Sequence, residues 1–600
     1  MVEGARVWTA DEPLSDLTMF GDWDYMASMV SSLRIHLFEH GTIPTWNFLL
    51  CGGRPELAIP SSWAWAWPSL FAYTLPPNAA LLTLWLSMTA IGILAMRSLL
   101  LRWVGTPLAA NTGACLYALN GYFGRAFFAG HVSWAFFHLV PVLMLLYERA
   151  FDGEIAVRRG NAPLVLLAAV SFLFFSAGLP HALFHAYPIF LLLVAFRLGV
   201  AARESGWRRA VGATGTLLLV HFLGASMAAY KIWPAVRWQL DQPREGVSLE
   251  AYSLWQVLGS TLGNIPDYRL DFVRVSQHPY PSIGSYAFVG AGPWLAAVAV
   301  LLAEIWRARP RARRERASGQ VPASDRIARG LPWLGLGLVA AGLLLALGTA
   351  HPWGPASLFP RLPLLSGIRG MARYQILTIF GLSILVAIGL ARLSARRDAK
   401  RSRLLAAALF LALCAPAAVH AMVLVWNVRA TPNRQIEHQY PARDPHAPPE
   451  YIGAQPGPMW ATDHVTVLLS KGWWIATCPE DLTLPEPRVA LYAGLRAPLS
   501  SPPPARMVRL TTDSVTLAYP RGLREDVLVH LPTLPTFRYS VPPRVFILNR
   551  PVFRREDLEG RELTIQALYP GPREGALASL VALGLVGVFF AVRSVRGRKG

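Results

Sequence analysis

Residues 79–103 read AALLTLWLSMTAIGILAMRSLLLRW, with no charge before Arg97. A run of that length and apolarity crosses the hydrocarbon core of a bilayer as one helix. Comparable runs follow at 107–123, 131–148, 162–177, 180–197, 211–231, 284–306, 331–349, 371–391, 404–427 and 575–592, which predicts eleven transmembrane helices. The weakest are 107–123, with Asn111 and Asn120 inside it, and the short pair separated by Gly178-Leu179-Pro180. Composition agrees: 53% of the 600 residues are hydrophobic and 15% charged, whereas soluble domains carry about 25% charge.

The formal charge of +20 tests this reading. Taking alternate connections between spans, one side collects 27 basic and seven acidic residues, and the remaining 29 basic and 29 acidic residues cancel. The positive-inside rule makes the Arg-rich side cytoplasmic and places the C-terminus there. The charge therefore reports orientation and gives no reason to invoke a nucleic-acid partner. Four parts result: a first extracytoplasmic segment 1–78, a helical domain 79–427, an extracytoplasmic domain 428–574, and a last helix with a basic tail, 575–600. Residues 1–78 hold neither a signal peptide nor a spanning run. Their export implies a preceding helix that this chain lacks, or translocation by the first span itself.

Segment 428–574 enters through a Pro-rich stretch and continues as β-branched runs at 464–470, 488–494, 506–510, 514–519, 526–531, 544–549 and 562–567. That pattern predicts a small β-sandwich. The four cysteines show no metal-binding spacing; Cys51 and Cys478 could pair if both face outward.

The first segment concentrates unusual residues. Gly21-Asp22-Trp23-Asp24-Tyr25 precedes Met26, Met29, Val30, Leu33 and Leu37 at helical spacing, and Gly41 and Pro44 end the run. This predicts an amphipathic helix at the membrane interface over 26–40, with Trp63, Trp65 and Trp67 in an aromatic belt. Asp22 and Asp24 would then sit where a lipid-linked substrate presents its headgroup, a place suited to a general base. Equally, they could be solvated acids at a helix N-terminus.

Taken together, Gly21-Asp22, Pro44-Thr45-Trp46-Asn47, Gly52-Gly53-Arg54-Pro55 and Pro68 resemble the first outer loop of bacterial YfhO-type membrane proteins. Gly130-His131, Pro141, Glu148-Arg149 and Ile368-Arg369-Gly370-Met371-Ala372-Arg373-Tyr374 extend the likeness. These proteins are grouped with the GT-C glycosyltransferases, whose first outer loop follows a helix that this chain lacks. The resemblance implies a GT-C-like polytopic fold in the bacterial cytoplasmic membrane. It also implies inverting transfer of a sugar from a polyprenyl-phosphate donor to an envelope polymer, lipid or protein. Asp22, then Asp24, would serve as base, with Arg54 at the substrate.

The departing phosphate needs positive charge at the outer mouth. Arg369 and Arg373 lie at the outer end of span 371–391, against the positive-inside trend, and Lys231 and Arg237 lie similarly beside span 211–231. Arg suits phosphate through bidentate geometry; pairing with outer acids or headgroups is the alternative. His131 could bind a phosphate or sugar hydroxyl, or be an interfacial polar residue. The pairs His36/His40 and His181/His185 have metal-compatible spacing without a carboxylate ligand nearby. Asp267 and Asp271 leave a divalent cation open. No phosphate-binding glycine loop or GxSxG motif is present, so no nucleotide cofactor is expected. A transporter or flippase of lipid-linked molecules would place charge deep in several spans, whereas here ionisable residues sit mostly at span ends, with His221 as an exception. A non-catalytic assembly factor is the third reading.

Overall fold

In the computed structural model the run at 79–103 lies inside a single helix, Pro77–Val104. The structure describes residues 21–47, 54–59, 62–128, 131–155, 161–177, 182–241, 252–262, 289–318, 323–350, 354–361, 371–394, 408, 451–452, 474–475, 506–519, 521, 527–528, 537–547, 550–568 and 572–598.

In chain order the helices are α1 (Gly21–Phe38), α2 (Ser69–Thr74), α3 (Pro77–Val104), α4 (Pro107–Ala118), α5 (Gly121–Phe128), α6 (Leu139–Ile155), α7 (Ala162–Ser176), α8 (Tyr187–Ser205), α9 (Trp207–Ser226) and α10 (Ala229–Asp241). There follow α11 (Leu254–Leu262), α12 (Ala291–Ser318), α13 (Ala323–Ala346), α14 (Gln375–Ser394) and α15 (Pro572–Arg598), with a single helical turn, Arg555–Leu558, before α15. Short turns of other helical form lead into three of them: 3-10 turns at Val132–His138 and Met371–Tyr374 into α6 and α14, and a wider π-helical turn at Ala182–Ala186 into α8.

Among the described residues five helices are long and apolar enough to cross a membrane: Ala79–Val104, Val132–Gly153, Phe184–Ser205, Met371–Ser394 and Pro572–Arg593. Helices α9 and α10 make a sixth if they count as one span bent by 72°. The chain is thus a mostly helical, multipass membrane protein, and eleven spans is a finer count than these helices supply. One reason is visible at 107–123. Asn120 breaks that run, its side-chain oxygen accepting the N–H of Tyr122 at 2.8 Å and starting α5. The preceding α4 has 12 residues, about 18 Å of helix. Of span 404–427 only residue 408 is described.

Small residues let the helices close up. At Gly381 of α14 an added Cβ would come within 2.5 Å of the Gly335 carbonyl of α13, an approach typical of membrane helix pairs.

Ion pairs gather the helix ends that flank the Arg-rich loops. Arg102 of α3 pairs with Asp152 of α6; Arg197 of α8 contacts Asp152 at 2.7 Å and Glu148 at 3.1 Å. Arg392 of α14 meets Glu304 of α12 at 2.6 Å, and Arg593 of α15 donates to Asn161 before α7 at 3.1 Å. One end of the bundle is therefore the basic end.

The first segment, α10 and the C-terminal sheets meet at the other end. Strands β1 (Trp46–Asn47) and β2 (Arg54–Pro55) pair antiparallel, and β3 (Tyr451–Ile452) and β4 (Trp474–Ile475) pair parallel. The remaining strands are β5 (Arg506–Leu510), β6 (Ser514–Ala518), β7 (Val527–Leu528), β8 (Phe537–Tyr539), β9 (Val545–Ile547), β10 (Arg550–Phe553) and β11 (Glu562–Ala567). They form a four-stranded antiparallel sheet, β5-β6-β11-β8, and a three-stranded sheet, β7-β10-β9. The runs at 464–470 and 488–494 lie outside the described residues. Thr45 and Trp46 both donate their N–H to the Thr512 carbonyl, at 2.8 and 2.9 Å, docking the first segment on the larger sheet.

Helix α1 differs from the interfacial helix expected over 26–40. It begins at Gly21, and Met26, Met29, Val30 and Leu33 are buried together with Ser32 and His36. Those two polar residues are bonded internally, so this face of the helix packs into the body. Gly41, at φ +64°, ends it by adopting a left-handed turn that returns the Thr42 N–H to the His36 carbonyl at 2.9 Å.

Candidate functional site

Two polar groups occupy the end of the bundle away from the ion pairs. The first is built where the turns entering α6, α8 and α14 meet α5. The Arg373 guanidinium stands 5.4 Å from the centre of the Trp134 ring. Tyr122 stacks on the same indole at 4.7 Å and donates its hydroxyl to the Arg373 carbonyl at 2.9 Å. His131 lies 5.2 Å from Trp134, and His185 lies 4.8 Å from Tyr374. Arg373 is half-buried. A guanidinium held over an aromatic face gains about 0.5–2 kcal/mol, and its N–H groups, which lie in its own plane, suit an anion.

The second group surrounds Glu56, which is 1% exposed. Asn47 donates to Glu56 and to Ser32, each at 2.9 Å, and the Ser62 hydroxyl donates to the other Glu56 oxygen. Lys231 of α10 donates to the Ser62 carbonyl. His36 lies beside Asn47 and 3.4 Å from the Thr42 hydroxyl. Burial drives its pKa down to about 4, and His40 pushes the same way, against Glu56 and the Asn47 hydrogen bond. Burial and then Glu56 push the Tyr73 hydroxyl up, and it donates to the Ala64 carbonyl at 3.1 Å. So enclosed, Glu56 braces the first segment and offers no face to a substrate.

The structure brings together only part of the set expected from sequence. Arg373 and His131 share Trp134. Lys231 is taken up by the Glu56 group on the buried face of α10, whereas Arg237 is exposed on another face. Asp22 and Asp24 occupy the first turn of α1, with side chains outside the described residues. Asp22 lies fourteen residues before His36, about 21 Å along the helix. Arg54 is in β2, opposite Asn47, and its side chain also lies outside the described residues. Arg369, Asp267, Asp271, His181, Cys51 and Cys478 lie outside them entirely. Among the described residues no group of three His, Cys, Asp or Glu side chains is placed to hold a metal. His221, the polar residue deep in a span, is bonded through both ring nitrogens, to Ser171 and Tyr187 at 2.7 Å each.

Sequence reasoning missed Glu56, Asn47 and Ser32, as well as the Tyr122–Trp134 platform. The signal for Glu56 was an acid directly following Gly52-Gly53-Arg54-Pro55, in a segment otherwise dense in Trp and Pro. No family model matches this chain, and neither a curated protein nor a solved structure matches it.

Proposed function

We propose that the chain is a GT-C-type glycosyltransferase of the bacterial cytoplasmic membrane. It transfers a sugar from a polyprenyl-phosphate donor to an envelope acceptor on the extracytoplasmic face. The observation that carries this reading is Arg373: a cation at the end of the bundle opposite the basic loops, stacked on Trp134 and within one aromatic group with His131. A lipid phosphate emerging there meets a guanidinium already held over an aromatic ring.

In the reaction, the acceptor oxygen attacks the anomeric carbon as the bond from that carbon to the donor phosphate breaks. Asp22 or Asp24 accepts the hydroxyl proton, and Arg373 with Arg369 stabilises the departing polyprenyl phosphate. A carboxylate suffices because the proton moves only as charge develops.

Proteoliposomes supplied with radiolabelled polyprenyl-phosphate sugars test the proposal. Wild type should transfer label to an acceptor, and Asp22→Asn, Asp24→Asn and Arg373→Ala should be compared with it. Transfer that survives all three substitutions sinks the catalytic assignment. Label that crosses the bilayer without covalent transfer identifies a flippase.

A further inference from the structure

Helix α10 carries one cation on each of two faces. Its buried face carries Lys231, 2% exposed and bonded to the Ser62 carbonyl, with Pro234 and Trp238 along the same line. Its outward face, at i, i+4 and i+7, carries Trp233, Arg237 and Leu240, with Trp233 44% and Leu240 53% exposed. In water a helix turns its charge outward and its aromatic and aliphatic residues inward. Exposed Trp233 and Leu240 depart from that rule, and a Trp and a Leu on either side of one Arg make the face of a helix resting on lipid.

Position along the chain agrees. Helix α9 has 20 residues, about 30 Å, which matches the thickness of the hydrocarbon core. The chain then bends by 72° into α10. If α9 crosses the bilayer, α10 emerges at the surface and runs nearly along it. Neighbouring groups hold it at that level. Tyr230 donates its hydroxyl to the Trp65 carbonyl at 2.6 Å and its N–H to Ser579 of α15 at 2.7 Å. Exposed Trp65 and Leu70 lie on the adjoining first segment. Arg237 makes no ion pair among the described residues.

We infer that α10 is an interfacial helix whose Trp233–Arg237–Leu240 face lies in the headgroup layer, with Arg237 taking the phosphate of an anionic phospholipid. This inference does not depend on the glycosyltransferase reading. It assigns Arg237 to the bulk lipid surface, apart from Lys231, which is internal.

The test uses the full chain in phosphatidylglycerol nanodiscs containing a lipid with a photoreactive group beside its headgroup. After irradiation, adducts are mapped by peptide mass spectrometry, with α15 as the lipid-contacting reference. Adducts are expected on residues 233–240, and Arg237→Gln should lower their yield about fivefold, the effect of one basic residue near an anionic surface. Adducts on α15 with none on 229–241 would overturn the inference. So would an Arg237→Gln yield equal to that of the native chain.

Discussion

Trp46 and Asn47 are consecutive in β1, yet they belong to different interiors. The Trp46 ring packs 5.2 Å from Phe537 of β8 and 6.4 Å from Trp238 of α10. The Asn47 amide bonds Glu56 and Ser32 within the first segment. Strand geometry explains the split, since adjacent side chains leave opposite faces.

Two substitutions should therefore fail differently. Trp46→Ala removes a large buried ring, at about 3–5 kcal/mol. It should expose the 506–567 region to limited proteolysis while the helices stay intact. Asn47→Leu deprives the buried Glu56 of a donor, a loss of about 1–3 kcal/mol. It should lower thermal stability in detergent without freeing the sheets. Equal protease sensitivity in both variants would contradict the division.

The two cations of α10 should separate as cleanly. Lys231→Ala strips a charge-assisted bond from a buried carbonyl, worth about 1.5–3 kcal/mol, and should lower the unfolding midpoint. Arg237→Ala, on an exposed position, should leave the midpoint within about 0.5 kcal/mol of wild type. Chemical denaturation of the purified protein measures both.

At the basic end, Arg197 is the keystone of the ion network. Arg197→Ala strands Glu148 in the interior and should cost about 3–5 kcal/mol. Replacing both, Arg197→Met with Glu148→Leu, should recover most of that loss. Arg102→Ala breaks a pair whose side chains are about 40% exposed and should cost at most about 1 kcal/mol. A double-mutant cycle for Arg197 and Glu148 with no coupling would refute the argument.

His36 gives a pH signature. Its folded pKa of about 4 lies below its ordinary 6.5, so the unfolded chain binds the proton first as pH falls. Its contribution to stability is full above pH 6.5, declines from there to about pH 4, and is flat below. The total is about 3 kcal/mol. His36→Gln should flatten that part of the stability–pH curve relative to wild type. Identical acid profiles would show that carboxylates alone set the slope.

If Arg373 binds the donor phosphate, its placement should matter as much as its charge. Tyr122→Phe removes only the hydroxyl that bonds the Arg373 carbonyl, about 1 kcal/mol. It should raise the KM for donor several-fold with little change in kcat. Arg373→Lys keeps the charge but loses the guanidinium fork held over Trp134, so it should recover little activity. Steady-state transfer assays in proteoliposomes decide both points.

The apolar helices and the gathering of Arg at one end of the bundle were legible in the sequence because both depend on summed local composition. Twenty-five nearly uncharged residues at 79–103 cannot be other than buried in protein or lipid, and clustered Arg marks loop ends whatever the packing. The Glu56 group was not legible. Its members Ser32, His36, Asn47, Glu56, Ser62 and Lys231 share no period and meet only after folding. The same contacts explain why Ser32 and His36 of α1 look like a solvent face until their internal partners are known. Asn120 marks the opposite failure: one side chain that caps α5 overrules an apolar run around it. Of the site, Arg373 stood out by violating a charge trend, whereas Trp134 and Tyr122 were hidden among many aromatic residues.

The bond from Thr45 to Thr512 spans 467 positions of chain, and that separation has a meaning in time. At ordinary synthesis rates of 5–20 residues per second, roughly 20–90 s pass between the emergence of the two residues. During that interval Trp46 has no sheet to enter, although most of the helices have already been made. Biogenesis of this protein therefore includes a long stage in which its earliest aromatic anchor must be shielded by lipid, by chaperones or by neighbouring helices. Nascent chains arrested before residue 506 should bind holdases more strongly than the finished protein.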